Sequence, residues 1–572
     1  MKRLLFIIAG IGIILNSCES PKKELAASPK KTYNICGAKS SDIDWFKTES
    51  KAPLLDGLDV LNFPISTKNE LVQKYFNQGL TLAYGFNHGE AARSFYYATQ
   101  LDPECAMAYW GFSYVLGPNY NAGMESDNYE RAYAAIQKAI ELAPNTSPKE
   151  QALIQAMGNR YTPEPPEDRS SLDIAYSEAM KSVFDQYPDD ADIAAMYAES
   201  VMDLHPWDLW DKEGNPKSWT PDILAAIEQV FDINPKHPGA HHFYIHAVEA
   251  SNNPDLGNES AEMFDKGLVP GAGHLVHMPS HIHIRTGEYH KGTLSNIAAV
   301  DVDSIYLSNC HAQGAYPLGL YPHNYHFLAA TATLEGNSKW ALEGAIKTAT
   351  YTHKQLMKEP GWGTLQHYYT IPYFIYVKFG MWDEILERIK HDPSLKYPNA
   401  IRAYSRGMAF LGKKEMDKAK SELQKLEDFA ADKSFEEMTI WDINSVANLL
   451  QIGKRVLKAE ILASEGEFEE SMSLLSEAIE IEDALNYNEP PDWFFSVRHH
   501  LGAVQIEAGD YEAALQTYEE DLKRLPKNGW AYHGMKLAYE KLNENAKAKE
   551  MEVLLAVAWS GADIELSSSR IK

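Results

Sequence analysis

The chain has 572 residues, of which 23% are charged and 45% hydrophobic. That is the make-up of a folded globular protein and excludes a disordered one. Its 80 acidic and 53 basic residues leave a net charge of -27, which repels phosphate backbones and argues against nucleic-acid binding. A mean hydropathy of -0.38 excludes a multi-span membrane protein, and four cysteines are too few for a disulfide scaffold.

The N-terminus reads as an address. Lys2 and Arg3 precede an apolar run from Leu4 to Leu15, too short to span a bilayer and built like a secretory signal. The run ends in Leu15-Asn16-Ser17-Cys18, which resembles a bacterial lipobox. The resemblance implies cleavage before Cys18, S-diacylglycerylation and N-acylation of that cysteine, and a stable anchor in the lipid bilayer. The chain would then sit in the cell envelope, on the outer membrane, facing the periplasm or the cell exterior. The plainer alternative is an ordinary secretory signal with a chance cysteine. Residues 19–31 are polar and read as a tether. Cys36, Cys105 and Cys310 remain in the mature chain, an odd count that leaves at least one thiol unpaired.

From about Asn69 onward the pattern is helical. Ala91, Phe95 and Ala98 fall on one helical stripe that Pro103 ends. This is the second-helix signature of a tetratricopeptide repeat (TPR), and Trp110 takes the large position of the next unit. Leu501, Gly502, Ala514, Tyr518 and Pro526 repeat it near the C-terminus, and Tyr532 and Ala548 keep phase after it. Gly287, Gly336, Gly380 and Gly466 are expected in the turns between paired helices, where a positive φ carries no Cβ penalty. One helix pair cannot bury its apolar face alone, so neighbours stack into an all-α solenoid with a concave side. Longer breaks lie at 161–169 and 205–220. The second carries Trp207, Trp210 and Trp219, and is either a packed insertion or a flap over the groove.

The stretches from Tyr84 to Phe95, Leu101 to Gly111, Leu116 to Asn119, Tyr244 to Ser251 and Pro270 to Ile282 resemble a family of large bacterial TPR proteins with a His-Leu-Val-His-Met-Pro-Ser-His-Ile type segment. The resemblance spans roughly residues 54–400, implies the fold, and names no reaction. The expected organisation is a signal peptide at 1–17, a lipid-tethered segment at 18–65, N-terminal repeats with insertions at 66–235, His-rich repeats at 236–400 and C-terminal repeats at 401–572.

Histidine is the informative residue. Of 20 in the chain, 12 lie between His237 and His326, where an even spread would put roughly 3. His242, His246 and Glu249 are spaced i, i+4, i+7. His274, His277 and His281 are spaced i, i+3, i+7, and His323 and His326 are three apart. Each set occupies one face of its helix. In TPR folds those positions of the first helix line the concave groove, so imidazoles from successive hairpins are expected to converge. Pro279 is expected to kink or restart its helix. Several imidazoles with one carboxylate make a site for a divalent transition metal such as Zn, Cu, Fe or Mn. Glu249 would be a ligand or would orient a ligating ring. His283 and His241 are expected as satisfied interior residues, and His88, His205, His353 and His391 as surface or capping residues. No HExxH, P-loop or GxSxG is present.

The function expected is a membrane-anchored extracytoplasmic TPR protein whose groove binds a transition metal or polar ligand through His242, His246, Glu249, His274, His277, His281, His323 and His326. The alternatives are a hydrolytic or oxidative metal-dependent enzyme using the same residues, and a scaffold holding a peptide or protein partner in the groove without metal.

Overall fold

The computed structural model describes residues 43–47, 51–310 and 316–572, and the chain folds as an all-α solenoid of TPR-type helical hairpins. Cys18 lies outside the described residues. Among those residues the strand content is one antiparallel pair, Thr439–Ile440 with Asn444–Ser445. No helix of the described residues is long and apolar enough to cross a membrane.

The first full hairpin shows why the repeat forms. Its helices, Glu70–Tyr84 and His88–Leu101, are capped by Asn69 and Asn87, whose side chains accept from Leu71 N–H and Glu90 N–H. Ala91, Phe95 and Ala98 are fully buried, as their spacing predicts. The Phe95 ring fills the space left by two glycines on flanking helices. A Cβ at Gly111 would stand 2.4 Å from that ring, so the small residue is what lets the helices close. At the other end of the chain Tyr518 lies against Gly502 and Gly534 in the same way. The four expected turn glycines, Gly287, Gly336, Gly380 and Gly466, all have positive φ, between 64° and 85°.

Residues 51–66 run extended over the first helix. Their backbone is satisfied by amide side chains of that helix: Gln78 accepts from Leu55 N–H, Asn77 from Phe63 N–H and Gln73 from Ile65 N–H.

Two large apolar clusters make the core. One gathers residues from Phe46 to Ile282, the other residues from Ile284 to Trp530. The superhelix curls until distant repeats meet. Tyr289 donates to Pro526 O at 2.8 Å, Trp530 Nε1 donates to Thr333 O at 3.0 Å, and Tyr487 donates to Glu249 at 3.0 Å.

Candidate metal centre

The helix Pro238–Val248 carries His242 and His246 one turn apart, and Glu249 follows as its C-cap residue. The next first helix is split as Pro279 requires. Gly273–His277 and Pro279–Thr286 join at Met278, which keeps αR geometry. Tyr321–Leu334 contributes His323. His242, His246, Glu249, His274, His277, His281 and His323 are all buried.

The imidazoles gather in two sets. His242, His246 and His274 offer nitrogens that lie within 4.8 Å of one another, and His277, His281 and His323 do the same. Each set rests on one phenyl ring. Phe86 has the first three imidazoles at centroid distances of 4.4, 5.9 and 6.0 Å. Phe327 has the second three at 4.7, 4.4 and 5.0 Å. Phe86 belongs to the first apolar cluster and Phe327 to the second, so the imidazole layer marks the seam between the two halves of the core.

The hydrogen bonds fix the tautomers. His242 Nδ1 faces Tyr84 O at 2.5 Å, so it donates and leaves Nε2 with a lone pair and no partner. Glu249 takes Nδ1–H of His246 on one carboxylate oxygen and Nδ1–H of His281 on the other, both at 2.6 Å. His277 Nδ1 donates to Asn296 Oδ1 at 2.7 Å, whose amide nitrogen is spent on Gly292 O. Glu249, with both oxygens taken by Nδ1 groups and a third bond from Tyr487, therefore orients rings, leaving their Nε2 atoms to face inward. His274 has no hydrogen-bond partner on either ring nitrogen.

One contact is chemically demanding. His277 Nε2 and His281 Nε2 stand 3.0 Å apart. With both Nδ1 atoms donating, the two Nε2 atoms face each other, an approach that suits either a proton shared between them or a cation bound by both. Imidazoles bound at about 2.0–2.1 Å to one tetrahedral metal ion place their nitrogens roughly 3.3 Å apart, a little wider than the contact here.

Burial, then repulsion from neighbouring imidazoles, holds His242, His274, His277 and His323 well below the ordinary histidine range. Burial also lowers His246, against the pull of Glu249. Burial would raise the Glu249 carboxyl, but the imidazoles of His281 and His246 outweigh it and hold it ionised. His242, His246, His274, His277 and His323 are thus all biased toward neutral imidazole, the form that ligates a metal.

The centre opens on a cleft of about 140 Å³ lined by His246, His281 and His323. Trp207 closes part of it. Its ring stands edge-on to His246 and stacks on Tyr120, and Trp210 anchors the same insertion by donating to Ala247 O. The 205–220 break is therefore packed and also borders the cleft. Trp441 reaches the cleft from the short β-turn, and Glu489 from the C-terminal repeats. Burial raises Glu489 to about 8 in spite of Arg285. Behind the first set, burial raises Asp303 to about 7. Asp303 accepts from Tyr316 at 2.6 Å and from Asn324, and the Tyr316 hydroxyl accepts from His274 N–H.

Two expectations need correction. His326 lies apart from both sets, stacked on Phe494 and beside His367, because its place three residues after His323 turns it toward the next first helix, Gly363–Lys378. His88 is not a free surface residue. It lines the cleft, contacts Asn119 at 3.3 Å, and is lowered to about 3 by burial and then by Arg160. His205 is half-exposed, as a surface residue should be, and stacks face to face on Trp219 at 3.7 Å. The interior assignments hold: His241 is bonded to Ser260 and Pro235 O, and His283 to Asp265. His353 accepts from Leu356 N–H as a cap. Cys105 is a free, buried thiol raised to about 11 by burial. Sequence reading missed Tyr487, Glu489 and Trp441, for which no local signal exists. It also missed Asn296 and Asp303, which sit on the faces turned inward by the helix after Gly287.

No protein-family model matches the chain, and no curated protein matches it. Solved structures of helical-repeat proteins align over most of its length. Human IFIT1, as a dimer with m7Gppp-AAAA, is 12% identical with a TM-score of 0.31, covering 92% of this chain and 96% of that one. Yeast Tom70 is 12% identical with a TM-score of 0.26, covering 85% and 90%. The TPR domain of P58(IPK) is 12% identical with a TM-score of 0.20, covering 83% and 99%.

Proposed function

We infer that this chain is a lipid-anchored protein of the cell envelope, held by acylated Cys18, whose solenoid carries a transition-metal centre. The observation that supports the centre is the 3.0 Å approach of the His277 and His281 Nε2 atoms, each ring tethered at Nδ1 by an acceptor. His323 completes the ligand set, and Glu249 and Asn296 orient it. Neutral imidazole suits Zn, Cu, Fe or Ni.

A second reading, a metal-dependent enzyme, draws on the cleft. His281 and His323 line an open cavity, and a three-imidazole site with a free coordination position can polarise a substrate or activate a bound water.

The test is metal analysis of full-length protein made without a polyhistidine tag or chelator. Stoichiometric metal lost in His281→Ala, with the fold retained by circular dichroism, is expected. Wild-type protein that neither carries metal nor gains thermal stability from zinc or copper would sink both readings. Cys18→Ala is expected to move the protein from the membrane to the soluble fraction. If it stays with the membrane, the anchor is wrong.

A further inference from the structure

The ion inferred above at His277, His281 and His323 leaves three imidazoles unexplained. His242, His246 and His274 lie one layer away, on the other side of Glu249, and resemble the first set in each particular. They are buried, they share one phenyl ring as a base, and two of the three are tethered at Nδ1. The ring nitrogens left over are His242 Nε2, His246 Nε2 and both nitrogens of His274, none of which has a partner. Four buried nitrogens without hydrogen bonds, within one small volume, are costly to a fold unless something binds them.

We propose that His242, His246 and His274 hold a second transition-metal ion, making a two-ion centre. This rests on the one-ion reading and extends it. The six imidazoles make two groups of three, and His246 of one and His281 of the other also meet at Glu249 in a third group that joins them. Glu249 spans the groups, orienting His246 for one ion and His281 for the other, so a single carboxylate sets the spacing between them. The ring centroids of those two histidines are 5.3 Å apart. His246 from one group and His281 and His323 from the other face the same cleft. Both ions would therefore present open positions to one small oxygen-donor molecule, the arrangement in which two metals clamp a shared ligand. The mutual distances within each group, up to 4.8 Å, exceed the roughly 3.3 Å of imidazoles sharing a tetrahedral ion, so modest ring rotations accompany loading.

The experiment is zinc and copper stoichiometry, each metal alone, on tag-free full-length protein by equilibrium dialysis and elemental analysis. Wild type is expected to bind two ions. His242→Ala and His323→Ala should each bind one, and the double variant none. Circular dichroism and a melting curve without metal establish the fold of each variant, and His→Gln replaces any His→Ala that fails to fold. One ion in wild type, kept by His242→Ala and lost in His323→Ala, overturns the second site and leaves the one-ion reading standing. One ion lost in either single variant means a single shared ion and also overturns it. No bound ion at all overturns both.

Discussion

Two regions of this molecule bury histidines, and they treat them differently. In the C-terminal repeats His499 is satisfied on both sides. Lys378 Nζ lies 2.9 Å from Nδ1, and Asp521 accepts from Nε2 at 2.9 Å. His500 next to it bonds Glu460 at 2.6 Å, which also binds Arg570. These two imidazoles are links in a closed chain of donors and acceptors, although His533 Nε2 in the same repeats has no such bond. In the seam between the two cores six imidazoles lie around one carboxylate that bonds only His246 and His281, and several ring nitrogens have no hydrogen-bond partner. A fold that can satisfy buried histidines, and does so twice near its end, leaves these open. It is to the open set, and not to the closed pair, that the proposal assigns a cation.

Predictions follow from the contrast in falling order of effect. His499→Ala should cost about 3–5 kcal/mol in urea unfolding, because Lys378 and Asp521 are left buried without their bridge, yet leave metal content unchanged. A loss of metal in that variant would erase the distinction. Acid should expose the neutral buried rings. His367 is lowered to about 3 by burial, so the unfolded state binds its proton first and stability falls as pH drops from 6.5 toward 3. His367→Asn should remove on the order of a few kcal/mol of that acid sensitivity, read from unfolding at pH 7 against pH 4. Equal slopes in the two proteins would show that His367 is not held neutral.

Glu249→Gln should weaken metal affinity about 10–100-fold, since both ring orientations pass through that carboxylate. An unchanged affinity in chelator competition would return Glu249 to the structural class. Gly111→Ala, far from the centre, should destabilise by about 1–3 kcal/mol through Phe95 alone, with melting lowered and metal binding intact.

The repeat architecture was legible because its determinants are local. Turn glycines, Phe95 between small residues, and asparagine caps all act within one or two helices. The histidines were legible for the same reason, since i, i+3/i+4, i+7 spacing is a property of one helix. What could not be read is what superhelical closure brings together. Tyr487 and Glu489 reach the centre across more than two hundred residues, and periodicity does not encode how far a solenoid turns. His326 was misplaced because two residues on one face of a short helix can still serve different neighbours. His88 was missed because its burial comes from Arg160 and Asn119, neither of which is near it in the chain.

The bond from Tyr487 to Glu249 ties the completion of the histidine cluster to the closure of the solenoid. The histidines come early in the chain, but their orienting carboxylate gains its last partner only when the repeats around residue 487 have folded back onto it. A chain clipped before Tyr487 would lack that bond.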